Sequence, residues 1–186
     1  MNTEMGDSNH ASVATVRPAS GRLGVLIPGL GAVATTFIAG VESVRRGLSV
    51  PIGSLTQMAR VGDARVADLV PLAALDDLVF GGWVPIPDDA YTAAVGAGVL
   101  DRHHLEPLRE FLSGIVPMPA VFDQRYVPRL QGPNVKRGAN KRDLAEQLRQ
   151  DIRDFKARHQ CDRLVAVWCG STEVFIAPSA VHATLE

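Results

Sequence analysis

Cysteine is nearly absent: Cys161 and Cys169 are the only two in 186 residues. Two thiols make no disulfide framework, so a reducing, cytoplasmic setting is the economical expectation. Charge imbalance is missing too. The net charge of −1 gives no electrostatic reason to expect nucleic acid or an acidic membrane as partner. No apolar window reaches the length that spans a bilayer. The opening "MNTEMGDSNHASVATVRPAS" lacks the apolar block of a secretory signal. Residues 1–20 are polar and aperiodic, and are expected to form a disordered leader. Repeats and low-complexity tracts are absent as well. What remains is 46% apolar and 21% charged, enough for one sizeable core in a soluble domain over residues 21–186.

Leu23 to Pro28 reads as a short buried strand closed by a Pro-Gly turn. A helix is expected from Ala32 to about Gly47, with Val33, Phe37, Val41 and Val44 on its apolar side and Glu42, Arg45 and Arg46 opposite. Gly47 is placed as its stop. Ser49 to Leu75 has no clear period. "DDLVFGGW", Asp76 to Trp83, is the second strand, and Pro85 and Pro87 forbid its continuation. Asp88–Leu100 and Glu106–Ile115 read as helices, followed by a Pro-, Gly- and Asn-rich connection. Asn140 then caps the clearest helix, with Asp143 in its first turn. Leu144, Leu148, Ile152 and Phe155 make its apolar stripe, and Asp154 with Arg158 an i, i+4 ion pair. "DRLVAVW", Asp162 to Trp168, is the third strand, and "SAVHATLE" reads like the first turns of a helix. This alternation predicts an α/β fold, a Rossmann-like parallel sheet with crossover helices.

The most informative stretch lies between the first strand and its helix. Gly29-x-Gly31-x-x-Ala34 is the dinucleotide fingerprint in its G-x-G-x-x-A form. Gly29 permits the tight turn, Gly31 lets a pyrophosphate approach the backbone, and Ala34 lets the helix lie close on the strand. Unpaired amides and the helix dipole bind an anion at such a place. The plain alternative is a strand-to-helix turn whose glycines serve packing. An acid about 20 positions further on, which would hold the adenosine ribose, is missing: residues 49–57 read "SVPIGSLTQ".

Four ordered segments carry a wider likeness: "PGLGAVATTFIAGV" at 28–41, "PIGSLTQ" at 51–57, "LDDLVFGGW" at 75–83, and "LRQDIRDFK" with "LVAVWCGSTE" between 148 and 173. On these the chain resembles the myo-inositol-1-phosphate synthase family, and the likeness covers nearly everything after the leader. The resemblance accounts for the missing acid, because the family inserts a long segment after the first helix. It implies NAD as cofactor and an isomerising cyclase acting on glucose 6-phosphate. The reaction implied is oxidation at C5, loss of a proton from C6, closure on the C1 aldehyde, and return of the hydride to give an inositol phosphate. Carried over by position, Gly29, Leu30, Gly31, Ala32, Val33, Ala34 and Thr35 form the pyrophosphate loop. Ser171 and Thr172 lie beside the nicotinamide end, and Asn134 falls where the family has an asparagine near the cofactor.

Two departures accompany the resemblance. After "FGGW" the family has aspartate, where this chain has Val84; Asp88 or Asp89 substitutes only if the Pro85–Pro87 turn brings them back. The family's catalytic lysines, phosphate-binding residues and second domain lie beyond Glu186, so no catalytic residue is named. By this expectation the chain is the cofactor-binding part, incomplete before the second domain and inactive alone, of an enzyme that is a homo-oligomer when complete. Two alternatives stand: another Rossmann oxidoreductase sharing only the glycine turn, or a non-catalytic nucleotide-binding or assembly module.

Other conspicuous residues take plain readings. His103 and His104 have no third ligand nearby in sequence and read as a solvated helix start, so no metal is expected. Cys161 and Cys169 lack a base at motif spacing and read as core or near-surface thiols. "NVKRGANKR", 134–142, reads as a solvated basic loop. Trp83 and Trp168 end their strands and read as packing residues.

Overall fold

The computed structural model describes residues 20–125, 127 and 130–170. The leader's first 19 residues, Ser171, Thr172 and the "SAVHATLE" segment lie outside the described residues. In chain order the elements are β1 (Leu23–Pro28), α1 (Ala32–Arg45), α2 (Leu55–Met58), β2 (Arg60–Val61), β3 (Ala64–Arg65) and α3 (Val66–Leu69). Then follow β4 (Leu78–Trp83), α4 (Ala90–Ala97), α5 (Arg102–Leu105), α6 (Arg109–Ser113), α7 (Lys141–Arg158) and β5 (Arg163–Ala166). The main sheet has the order β4-β1-β5 and is wholly parallel, with Leu23 level with Leu78 on one side and Arg163 on the other. This is the predicted Rossmann-like α/β architecture, with β1 in the centre.

Strand alternation divides the core into two layers. Val25, Ile27 and Phe80 face α1, α4 and the 105–115 segment in a large cluster that includes Ala34, Ile38, Leu108 and Leu112. Leu26 and Trp83 face the other way, toward Phe155 of α7, Cys161 and Ala120. Gly24 and Gly81 leave the room the Phe155 ring fills: a Cβ on either would collide with that ring.

Helix α1 begins where Gly31 ends the turn, and Gly47 closes it with φ +67°, its N–H donating to the Val44 carbonyl at 3.0 Å. Its inward face is not the expected stripe. Ala34, Thr35, Ile38, Ala39, Val41 and Glu42 are buried, while Val33 is 69% and Phe37 46% exposed. The helix packs close to α4, and the small residues Ala34 and Ala39 share a cluster there with Ala90 and Ala94. Glu42, expected on the outer side, is buried and paired with Arg45 at 3.2 Å and Arg46 at 2.7 Å.

Asn140 caps α7 as expected, its side chain accepting from the Asp143 N–H at 3.0 Å. Asp154 accepts from Gln150 Nε2 at 2.8 Å, and the expected Asp154–Arg158 pair is not formed. The aperiodic 49–75 stretch holds two short helices and a two-residue hairpin turning at Gly62, φ +60°. Helix α4 starts only at Ala90, because Asp89 is its cap and accepts from Thr92 N–H at 2.7 Å.

Candidate functional site

The two glycines of the corner do different work. Gly29 has φ +94°, a conformation that disfavours side chains, and a Cβ there would sit 2.5 Å from the Cys169 carbonyl oxygen. Its N–H donates to the Trp83 carbonyl at 2.8 Å, tying the turn to the end of β4. A Cβ on Gly31, by contrast, would meet nothing within 4 Å. The N–H groups of Leu30, Gly31, Ala32, Val33 and Ala34 have no acceptor among the described residues. Thr35 N–H is the first to bond within the helix, to the Gly31 carbonyl at 3.0 Å. Thr35 itself is fully buried, and its hydroxyl donates to the Gly31 and Ala32 carbonyls. It braces the turn from inside. The result is a row of free amides at the positive end of a 14-residue helix, the arrangement that takes an anion.

A cleft of about 330 Å³ opens beside this corner, within the range of small-ligand sites (about 300–1,000 Å³). Leu30, Gly31 and Ala32 form one wall, Val84 and Ile86 the floor beyond β4, and Thr92, Ala93, Gly96 and Ala97 of α4 the other wall. Asp88 lines it as well. So the Pro85–Pro87 turn does bring one of the two aspartates back, while Asp89 is engaged as the α4 cap. The α4 wall was not singled out from the sequence, although its small residues at 92, 93, 96 and 97 recur at helical spacing along one face. A larger cavity of about 420 Å³ lies between β4, residues 114–118 and α7. Its Asp151 is fully engaged, accepting from Trp83 Nε1 at 2.7 Å and Lys136 Nζ at 3.0 Å. This cavity also holds Arg158 and His159, whereas the glycine corner offers a row of free main-chain amides.

Other singled-out residues find definite places. Asn134 donates through Nδ2 to the Val84 carbonyl at 2.9 Å and the Met118 carbonyl at 3.2 Å, holding the segment just past β4. Lys136, expected in a solvated loop, is instead mostly buried in its ion pair with Asp151, their side chains 11% and 18% exposed. Cys161 is buried, and that burial pushes its thiol up. Cys169 donates its N–H to the Pro28 carbonyl at 2.9 Å, so the chain after β5 stays alongside the corner. Trp83 packs as expected, whereas Trp168 is 75% exposed among the described residues. The histidine pair does have a third neighbour: Asp101, His103 and His104 bring one ligand atom each within 4.8 Å of one another. All three are exposed, and no hydrogen bond among the described residues orients either imidazole, so nothing presets a ligand geometry.

Comparison with known proteins gives the family. Residues 23–186 match the family model for the NAD-binding part of myo-inositol-1-phosphate synthase. The chain belongs to the myo-inositol-1-phosphate synthase family. Inositol-3-phosphate synthase 1 of Bacteroides thetaiotaomicron is 48% identical over 176 residues, covering 91% of this chain and 41% of that protein. The rice protein of the same name is 34% identical, covering 82% of this chain and 34% of its own. The crystal structure of inositol-3-phosphate synthase from Caenorhabditis elegans superposes with a TM-score of 0.73 at 26% identity, over 84% of this chain and 35% of that one. The chain thus spans about two fifths or less of the synthases it matches. NAD is the cofactor this family implies, and the open cradle at Gly31 with its unpartnered amides fits a dinucleotide diphosphate. Among the described residues no helix is long and apolar enough to cross a membrane.

Proposed function

We propose that this chain is the NAD-binding part of an inositol-3-phosphate synthase that isomerises glucose 6-phosphate to myo-inositol phosphate in the cytoplasm, a homo-oligomer when complete. Residues 21–186 form its cofactor-binding unit after a leader of 20 residues. The observation that supports this reading most is the empty space over Gly31, faced by free amides from Leu30 to Ala34. Those amides and the α1 dipole hold the diphosphate, and the bare Gly31 backbone lets it come close. Thr35 keeps the turn in shape. Ser171 and Thr172 follow β5 in sequence and serve the nicotinamide end, since ligands of parallel sheets lie beyond the strands' carboxyl ends. When bound, NAD supplies a hydride acceptor that returns what it takes, so a C–H next to a transient ketone becomes acidic without net oxidation. The chain's own contribution is binding and orientation; no residue here is assigned to proton transfer.

Calorimetric titration with NAD tests the reading. Gly31→Val is expected to keep its melting temperature, because the new side chain meets no protein atom at its base, yet to lose NAD binding. Unchanged affinity in that variant removes the corner as the site. A non-catalytic nucleotide-binding module is the second reading, favoured by Val84 standing where the family resemblance has aspartate.

A further inference from the structure

A dinucleotide held by the corner must send its adenosine toward the strand that follows the first crossover, here β4, because β1-α1-β4 is the first βαβ unit. At the end of that strand an acid ordinarily accepts the ribose hydroxyls. Val84 stands just past the end of β4, and its side chain accepts nothing. The cleft there is walled by aliphatic groups of Leu30, Val84, Ile86, Ala93 and Ala97. Asp88 is the one acid among its lining residues. Asp88 accepts no hydrogen bond among the described residues, whereas its neighbour Asp89 accepts from Thr92 N–H. A carboxylate with no hydrogen-bond donor among the described residues, on a residue that lines the same apolar cleft as Gly31, is suited to a vicinal diol.

Resting on the reading that the diphosphate sits at Leu30–Ala34, we propose that Asp88 takes the adenosine ribose hydroxyls in place of a residue at 84. Its negative charge then sets the preference for NAD over a 2′-phosphorylated cofactor. The shift by four positions is possible because Pro85 and Pro87 bend the chain back before α4 begins at Ala90.

The experiment is calorimetric titration of the wild type and Asp88→Asn with NAD, NADP, ADP and 2′-deoxy-ADP. Circular dichroism melts check that the exposed substitution leaves the fold intact. The wild type is expected to bind NAD at least about tenfold more tightly than NADP, and ADP about tenfold more tightly than 2′-deoxy-ADP. Asp88→Asn is expected to weaken NAD by about ten- to a hundredfold and to erase both preferences. If wild type binds NAD but discriminates neither pair, or if the variant keeps both preferences, the Asp88 assignment is overturned while the corner stands. If wild type binds no NAD, the reading beneath it falls too. Should Asp88→Asn melt, Asp88→Ser takes its place in the same titrations, and preferences kept by that variant overturn the assignment.

Discussion

The two faces of the sheet are built on different plans. On the α1 and α4 side the apolar contact is spread over many residues of modest size, and Ala34, Ala39, Ala90 and Ala94 keep the helices close. On the α7 side one aromatic ring, Phe155, fits into space left by Gly24 and Gly81, with Leu26, Trp83 and Cys161 around it. The broad face tolerates an open corner at its rim because its cohesion depends on no single side chain. The narrow face has no such reserve. Function and stability are therefore partly separated, with the free amides beside the broad face and the most vulnerable packing under α7.

The largest effect expected from this contrast is at Phe155. Phe155→Ala should cost about 3–5 kcal/mol, because it empties a site whose glycine walls have no side chains to collapse inward. Urea unfolding measures it, and a loss under about 1 kcal/mol would mean the two faces share the load. A smaller effect is expected at the start of the same helix. Asn140→Ala removes the cap on Asp143 N–H and should cost about 1 kcal/mol, with no change in NAD affinity if the faces are as separate as described.

The smallest effect concerns acidity. His159 follows α7, half-buried against Phe155 with ring centroids 4.5 Å apart. Partial burial, then Arg158 and Arg22, hold its imidazole below the usual range. A ring harder to protonate when folded contributes its stability above the unfolded value of about 6.5 and loses it as pH falls below that. The urea midpoint should therefore drop slightly from pH 7.5 to pH 5, and His159→Asn should flatten that drop. An identical pH profile in the variant would show that the end of α7 senses no charge.

How much was legible in the sequence follows the range of the interactions. The three strands, the glycine turn and the Asn140 cap rest on neighbours a few residues apart, and all were readable. The rotation of α1 was not, because its inward face is chosen by close packing against α4 rather than by its largest apolar residues; Val33 is exposed, and Phe37 is half-exposed with its ring edge-on to Phe80. Lys136 looked solvated because its partner Asp151 comes from the middle of α7, where it also takes the indole N–H of Trp83 from a distant strand. Between Ser49 and Leu75 the strands are two residues long, too short for any alternation to register. At the site, the fingerprint named the amides, but which of Asp88 and Asp89 lines the cleft depended on how Pro85 and Pro87 bend the backbone.

The bond from Gly29 N–H to the Trp83 carbonyl has a kinetic meaning. Since the indole of Trp83 is in turn anchored to Asp151, the bend after β1 is braced from beneath by a helix on the opposite side of the sheet. An incoming diphosphate finds its donors already aligned and has no disordered segment to immobilise. Its capture rate should then be governed by encounter and orientation, with variants of the corner differing chiefly in how long they retain it.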